Sequence, residues 1–512
     1  MPSIFDLVES HARSDPSRLA LLTERDGTRT YGQLVGTAAA LGAAMHEQLG
    51  LQPGDRVCLW TQNRPEWVET FVACGAAGFT TVLGNPEWTD YEIGYVFDNS
   101  EATAVLCDAG LAERAVALKA SHPNLRHVIA LTEEGVPLAD GAVGFDALLA
   151  GAPPDPREHL PKDAAAVTSA SFMYTSGTTT GRPKAVVQRG AAGQAADYYE
   201  MFGLAPKDRA IVITPFFHGN GFGGVLAALS YGASVVFPRR FSASRFWPLV
   251  DLHRPTYLWT LAPLVNILLG QPPALHETTH AFRVLIVLGS GPNAPLIEER
   301  YGAPVIDWYG MTEAGSGTYT RLGMTRKPGS AGTPFPGSGI MIMKDDGSEA
   351  APGEVGEVVY PMSSLTFEGY ANDPEATAAA VQDGYFHTGD LGYFDDERYF
   401  FFVDRKKDIV RRGGENISSM EIEAVMRQHP EVAEAAVVAK PDPVLGERVT
   451  AFVVPAEGLT GAPDPESIKA FVAERLAHFK VPEEIHVVSE FARTPTGKIE
   501  KFRLRQKLAE MG

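Results

Sequence analysis

A chain of 512 residues exceeds the roughly 250–300 residues at which one hydrophobic core stops growing, so two or three domains are expected. Its 45% hydrophobic and 21% charged residues exclude a disordered or fibrous protein. A formal net charge of -19 argues against nucleic acid or an anionic membrane as partner, because both are repelled by it.

Residues 1–20 carry charges throughout and lack the apolar core of a secretory signal, and no run of about 18 uncharged apolar residues follows. A cytoplasmic chain without membrane insertion is expected. The last residues show neither a peroxisomal address nor a prenylation box. Cys58, Cys74 and Cys107 stand apart in apolar neighbourhoods, a pattern of neither a disulfide framework nor a metal cluster.

From 1 to 160 the sequence predicts a helix at 38–49 and strands at 56–60 and 104–107, an α/β rhythm. The rhythm continues with buried strands at 210–214, 234–237 and 284–288 and a helix at 247–253. Pro/Gly-rich residues 327–337 and the turn-rich run 344–356 predict a more β-like region before 400. Beyond Asp404 a helix at 419–428, strands at 435–439 and 448–454, a helix at 466–476 and a final tail make a small α+β domain. The charged stretch 403–408 between them reads as an exposed linker.

The segment Thr175-Ser176-Gly177-Thr178-Thr179-Thr180-Gly181-Arg182-Pro183-Lys184 follows an apolar run. Glycines let backbone wrap close to an anion, hydroxyls donate to phosphate oxygens, and a lysine adds a point charge, so a polyphosphate fits. Taken alone, the same pattern describes a polar loop between strands. The spacing fails the Gly-Lys-Ser/Thr ending of a Walker loop, which disfavours a Walker-type kinase or GTPase.

This loop resembles the phosphate-binding signature of the adenylate-forming superfamily, which includes acyl-CoA synthetases, firefly-type luciferases and peptide-synthetase adenylation domains. Further segments match in order: Tyr309-Gly310-Met311-Thr312-Glu313, Thr388-Gly389-Asp390, the run from Asp404 to Ile417 and Thr494-Pro495-Thr496-Gly497-Lys498. The resemblance implies ATP, Mg2+ and CoA as cofactors and cosubstrate. Thr312 then meets the α-phosphate, Glu313 holds magnesium, and Tyr309 flanks adenine, as does the Gly289-Ser290-Gly291 stretch. Asp390 anchors the ribose with Arg405, Lys407 is the hinge, and Lys498 bridges the acid and the α-phosphate. His387, a histidine between aromatics and a threonine, reads as structural.

Pro215-Phe216-Phe217-His218 is similar to the segment that gates the acid pocket and pantetheine tunnel, with His218 as the gate. Gly413 and Gly414 would leave room for a pantetheine arm. His218-Gly219-Asn220-Gly221 stands where amino-acid-activating relatives offer an aspartate, which disfavours an α-amino acid. The phosphate loop is one residue longer than the usual pattern and leaves open which of Thr178, Thr179 and Thr180 meets the β- and γ-phosphates.

The implied fold is a large N-terminal α/β domain of stacked sheets with a distorted β-barrel over 1–404, a hinge at 405–408 and a mobile α+β lid at 409–512, with the active site between. The implied activity is an AMP-forming acid–CoA ligase: a small-molecule carboxylic acid and ATP give an acyl-adenylate and pyrophosphate, and CoA then displaces AMP. The alternatives are adenylation with a carrier-protein thiol or an amine as acceptor, activation of a small oxyanion such as nitrite, and a non-catalytic nucleotide-binding relative. Intact Glu313, Asp390, Arg405 and Lys498 argue against the last.

Overall fold

The computed structural model describes residues 2–164, 170–175, 183–189, 195, 198–412, 415–459, 461–494 and 497–511. The chain packs as two compact units. The first takes in Met1–Thr175, Pro183–Pro328 and Met362–Ala379, and the second includes Gly329–Pro361 and Ala380–Gly512.

Two largely parallel sheets make the first unit. One runs in the order Gly315–Tyr319, Val305–Met311, Val284–Leu288, Tyr257–Leu261, Arg209–Val212, Ser234–Phe237, Leu19–Thr23 and Thr28–Thr30. The other runs Phe367–Tyr370, Lys184–Arg189, Ala170–Thr175, Thr80–Gly84, Arg56–Trp60, Ala104–Cys107, His127–Ala130 and Val143–Gly144. Parallel strands covered on both faces need apolar side chains on both, and runs such as Val284-Leu285-Ile286-Val287 are buried without interruption. The predicted strands at 56–60, 104–107, 234–237 and 284–288 stand at those residues.

The helix predicted at 38–49 begins earlier, at Tyr31. Thr30 caps it, its side chain accepting from Gln33 N–H while the Gln33 side chain accepts from Thr30 N–H. The strand predicted at 210–214 stops at Val212, and the Thr214 hydroxyl instead donates to Asn220 Oδ1 at 2.9 Å. Cys58, Cys74 and Cys107 are free and buried. Burial pushes the thiols of Cys74 and Cys107 up to about 12, and that of Cys58 further.

The second unit has two sheets. Tyr385–Phe394 pairs with Gly356–Pro361, Val381–Gln382 and Phe400–Arg405, which is the β-rich region the sequence predicts before 400. Past it, Val432–Asp442 and Gly446–Pro455 form a long antiparallel ribbon, flanked by Val410–Arg412 and by Glu484–Val487. Helices Ser419–Met426 and Pro465–Ala473 pack Ile422, Met426, Ile468 and Val472 on one face of this sheet.

The opposite face is covered by a helix, Lys501–Met511, where the sequence reading left only a tail. Leu504 and Leu508, one turn apart, reach Ala436, Val438 and Phe452 from a helix that is otherwise rich in charged residues. Among the described residues, no helix is long and apolar enough to cross a membrane.

Candidate active site

Thr175 ends one strand of the second sheet and Lys184 opens the next, and the two pair directly across the ladder. The ends of the hydroxyl-rich loop are thus held side by side. Ser176, Gly177, Thr178, Thr179, Thr180 and Gly181 lie outside the described residues, as do Gly413 and Gly414. Tyr370 pairs with Val186 on the neighbouring strand, two positions from Lys184 on the same face. Its ring centroid lies 4.9 Å from Lys184 Nζ, and its hydroxyl donates to Glu313 Oε1 at 3.0 Å. Burial first, then the Glu313 charge, raises the phenol pKa and keeps that proton in place.

Tyr309 and Gly310 lie at the end of strand Val305–Met311, and Thr312 and Glu313 occupy the turn between it and Gly315–Tyr319. Gly310 is required there: a Cβ would stand 2.2 Å from the Gly315 carbonyl oxygen. Glu313 is only 8% exposed. Gln188 Nε2 donates to the Thr312 carbonyl, so both residues of the Thr-Glu pair are held from the other sheet. A Cβ built on Gly219 would lie 3.4 Å from Thr312 Oγ1, which places Thr312 beside the start of helix Gly219–Tyr231.

His218 caps that helix, its Nδ1 accepting from Asn220 N–H at 3.3 Å. With Nδ1 as acceptor, the neutral ring carries its proton on Nε2. The approach to His218 is fixed by Asn63, whose amide donates to the Thr214 carbonyl at 3.1 Å and accepts from Phe216 N–H at 2.8 Å. Trp259, Trp308 and Phe222 are buried. The Gly289-Ser290-Gly291 stretch folds over Asp307, whose carboxylate accepts three successive N–H groups at 3.0, 3.1 and 2.7 Å. Asp307 is 1% exposed, and burial raises its pKa against the pull of these hydrogen bonds.

In the second unit Asp390 and Arg405 face each other across the ladder, with Arg405 Nε 3.3 Å from Asp390 Oδ1. Thr388 donates to the Val358 carbonyl at 2.7 Å and accepts Asp390 N–H at 3.0 Å, which sets the aspartate's direction. His387 sits 3.3 Å from Glu357, the same carboxylate that takes Gly389 N–H and approaches Lys406. This is the structural role its neighbours imply.

Lys498 lies in a hairpin closed by Thr494 N–H to its own carbonyl at 2.8 Å and by its N–H to Thr494 Oγ1 at 3.2 Å. Although the residue is exposed overall, crowding by surrounding protein and then the Arg405 charge lower its pKa, with Asp390 opposing. Asp390, Arg405 and Lys498 therefore share one electrostatic environment. Lys407 stands in a turn closed by Asp408 N–H to the Arg405 carbonyl at 2.8 Å. Asp404 accepts Ser419 N–H at 2.6 Å at the start of helix Ser419–Met426, whose N-cap is Ser418.

Tyr370, Gln188, Asn63 and Asp307 carry no motif, and the sequence reading passed over them. Asp307 alone had a local signal, a carboxylate inside the apolar run Val305-Ile306-Asp307-Trp308.

The chain matches the AMP-binding enzyme family over residues 8–371 and the AMP-binding enzyme C-terminal domain over 421–498. It is 32% identical to an oxalate–CoA ligase of Arabidopsis thaliana, covering 98% of both chains. It is also 32% identical to a 2-succinylbenzoate–CoA ligase of Bacillus velezensis, covering 97% of this chain and 96% of that one. Among solved structures, ATP-bound MatB from Rhodopseudomonas palustris superposes with a TM-score of 0.86 at 27% identity, covering 99% of each chain. The chain belongs to the AMP-binding enzyme family and is an adenylate-forming enzyme of the acid–CoA ligase type.

Proposed function

We propose that this chain adenylates a carboxylic acid and then transfers the acyl group to CoA, with Thr312, Glu313, Lys184, Asp390, Arg405 and Lys498 as the residues that serve the adenylation. The observation that supports this most directly is the pairing of Arg405 with Asp390, Nε to Oδ1 at 3.3 Å across the ladder. A carboxylate with two acceptor oxygens suits the ribose diol, the guanidinium fixes it, and the ammonium is the mobile cation that the reaction needs.

An oxygen of the acid's carboxylate forms a bond to the α-phosphorus, and the bond from that phosphorus to the pyrophosphate oxygen breaks. Two anions approach each other in this step, so the Lys498 ammonium lowers the barrier by charge while positioning supplies much of the rest. In the second half-reaction the thiol sulfur of CoA attacks the acyl carbon, loses its proton and expels AMP. His218, at the start of its helix, would gate the acid and the incoming thiol.

Glu313, a carboxylate beside the Thr312 hydroxyl with one oxygen already fixed by Tyr370, fits a magnesium site, since magnesium takes one or two carboxylates and completes its shell with phosphate oxygens and water. When bound, the ion neutralises charge on the phosphates. Three free, buried thiols suit the reducing cytoplasm as its location.

The acids in the names of these two relatives, oxalate and 2-succinylbenzoate, are dicarboxylates, so dicarboxylic acids stand first in a test panel that also carries monocarboxylic acids. The experiment is acid-dependent exchange of pyrophosphate into ATP, followed by CoA consumption. Lys498→Ala should lower exchange by about 100-fold or more, and wild-type exchange in that variant rejects the assignment. Exchange without CoA consumption points to a carrier-protein thiol or an amine as the acceptor.

A further inference from the structure

Lys184 and Glu313 come from different sheets and carry opposite charges, yet one side chain meets both. The Tyr370 hydroxyl donates to Glu313 Oε1 at 3.0 Å, and the ring face lies 4.9 Å from Lys184 Nζ. We propose that Tyr370 is a positioning residue for adenylation, its hydroxyl orienting Glu313 toward the metal and its ring seating Lys184 at the mouth of the phosphate loop. The inference rests on the adenylation reading above.

The tyrosine is itself held firmly. Its N–H donates to Thr377 Oγ1 at 2.9 Å, and Ala371 N–H donates to the Ala185 carbonyl at 2.9 Å, which locks the strand end against the one bearing Lys184. Phe367 packs edge-on against the ring at 5.2 Å. Gly369 adopts φ +123, a conformation other residues avoid, and so lets the strand pass close to Thr377.

A phenol is chemically suited to this place. A lysine or arginine at 370 would orient Glu313 but also neutralise it, in competition with a cation. The neutral hydroxyl fixes one carboxylate oxygen and leaves the negative charge for the metal, as outer partners of metal ligands do. The same ring offers its electron-rich face to the ammonium. Gln188, from the same strand as Lys184, holds the Thr312 carbonyl alongside, so Thr312 and Glu313 are fixed at adjacent positions.

The test measures Mn2+ affinity by electron paramagnetic resonance in the full-length protein with α,β-methylene-ATP bound. Tyr370→Phe keeps the ring and loses the hydroxyl, and it should weaken Mn2+ binding about tenfold, with excess Mg2+ restoring kcat. Tyr370→Leu should in addition weaken binding of the nucleotide without metal, because Lys184 loses its seat. In a Glu313→Gln background the Tyr370→Phe change should have no further effect on Mn2+, whereas a general loss of folding adds in both backgrounds. Mn2+ affinity in Tyr370→Phe within twofold of wild type, or additive effects in the double variant, overturns the inference and leaves adenylation standing. A wild-type protein that binds no Mn2+–nucleotide overturns both.

Discussion

At Lys407 the surroundings oppose the charge that a lysine carries in water. Partial desolvation and the Arg405 charge, with a smaller push from Arg505, bring its pKa to about 8, while Asp408 and Asp390 pull the other way. An unfolded lysine titrates near about 10.4. Between these values the unfolded chain binds the extra proton, so stability rises as pH climbs through the window, and below about 8 the cost of the partly desolvated charge is constant. Lys407→Gln removes the titration. The stability of wild type relative to this variant should increase from about pH 7.5 to about pH 9.5, by a modest amount because the side chain is partly exposed and screened. Urea midpoints of the two proteins at both pH values check it, and a flat difference contradicts it. Residues of this kind, like Asp390, Arg405 and Lys498, could be singled out from the sequence because they sit in short ordered motifs. Tyr370, Gln188 and Asn63 could not, because their partners lie 57, 124 and 151 positions away and only the assembled sheets bring them together.

Elements buried on both sides were the easiest to read, since a run such as Val284-Leu285-Ile286-Val287 is apolar throughout. Helix starts were harder. The one at Tyr31 depended on the Thr30 and Gln33 cap, outside the apolar stretch that marked the helix. The last helix escaped because Leu504 and Leu508 alone face the sheet. Helix Gly219–Tyr231 shows what an element asks of its neighbours: a Cβ on Gly221 would stand 2.1 Å from the Pro215 carbonyl oxygen. Gly221→Ala must therefore move the 214–218 segment or the helix, at about 1–3 kcal/mol. Thermal unfolding should show that loss, and KM for the acid should rise more than KM for ATP, since the displaced segment leads to His218. An unchanged unfolding midpoint would show that the segment yields freely.

At the scale of the whole molecule, the sequence predicts a boundary near Asp404, between the two family matches, whereas compactness groups stretches that are separated along the chain. Units assembled from separated stretches, such as Met362–Ala379 joining the first, leave no mark in local composition, because membership is decided by pairing partners such as Lys184–Arg189 and Phe367–Tyr370. The family's fold and chemistry were legible from a handful of motifs, and the packing that steadies them was not. One feature of that packing bears on the reaction. The product of the first half-reaction is an electrophile that sulfur attacks readily, and the protein encloses all three of its own sulfhydryls where they stay protonated. Native protein should therefore give almost no colour with an aromatic disulfide reagent, and three equivalents once unfolded in guanidinium; rapid labelling of the native form would refute this. The enzyme is thereby protected from acylating its own thiols, and an activated acyl group waiting in the site meets no competing sulfhydryl from its own chain.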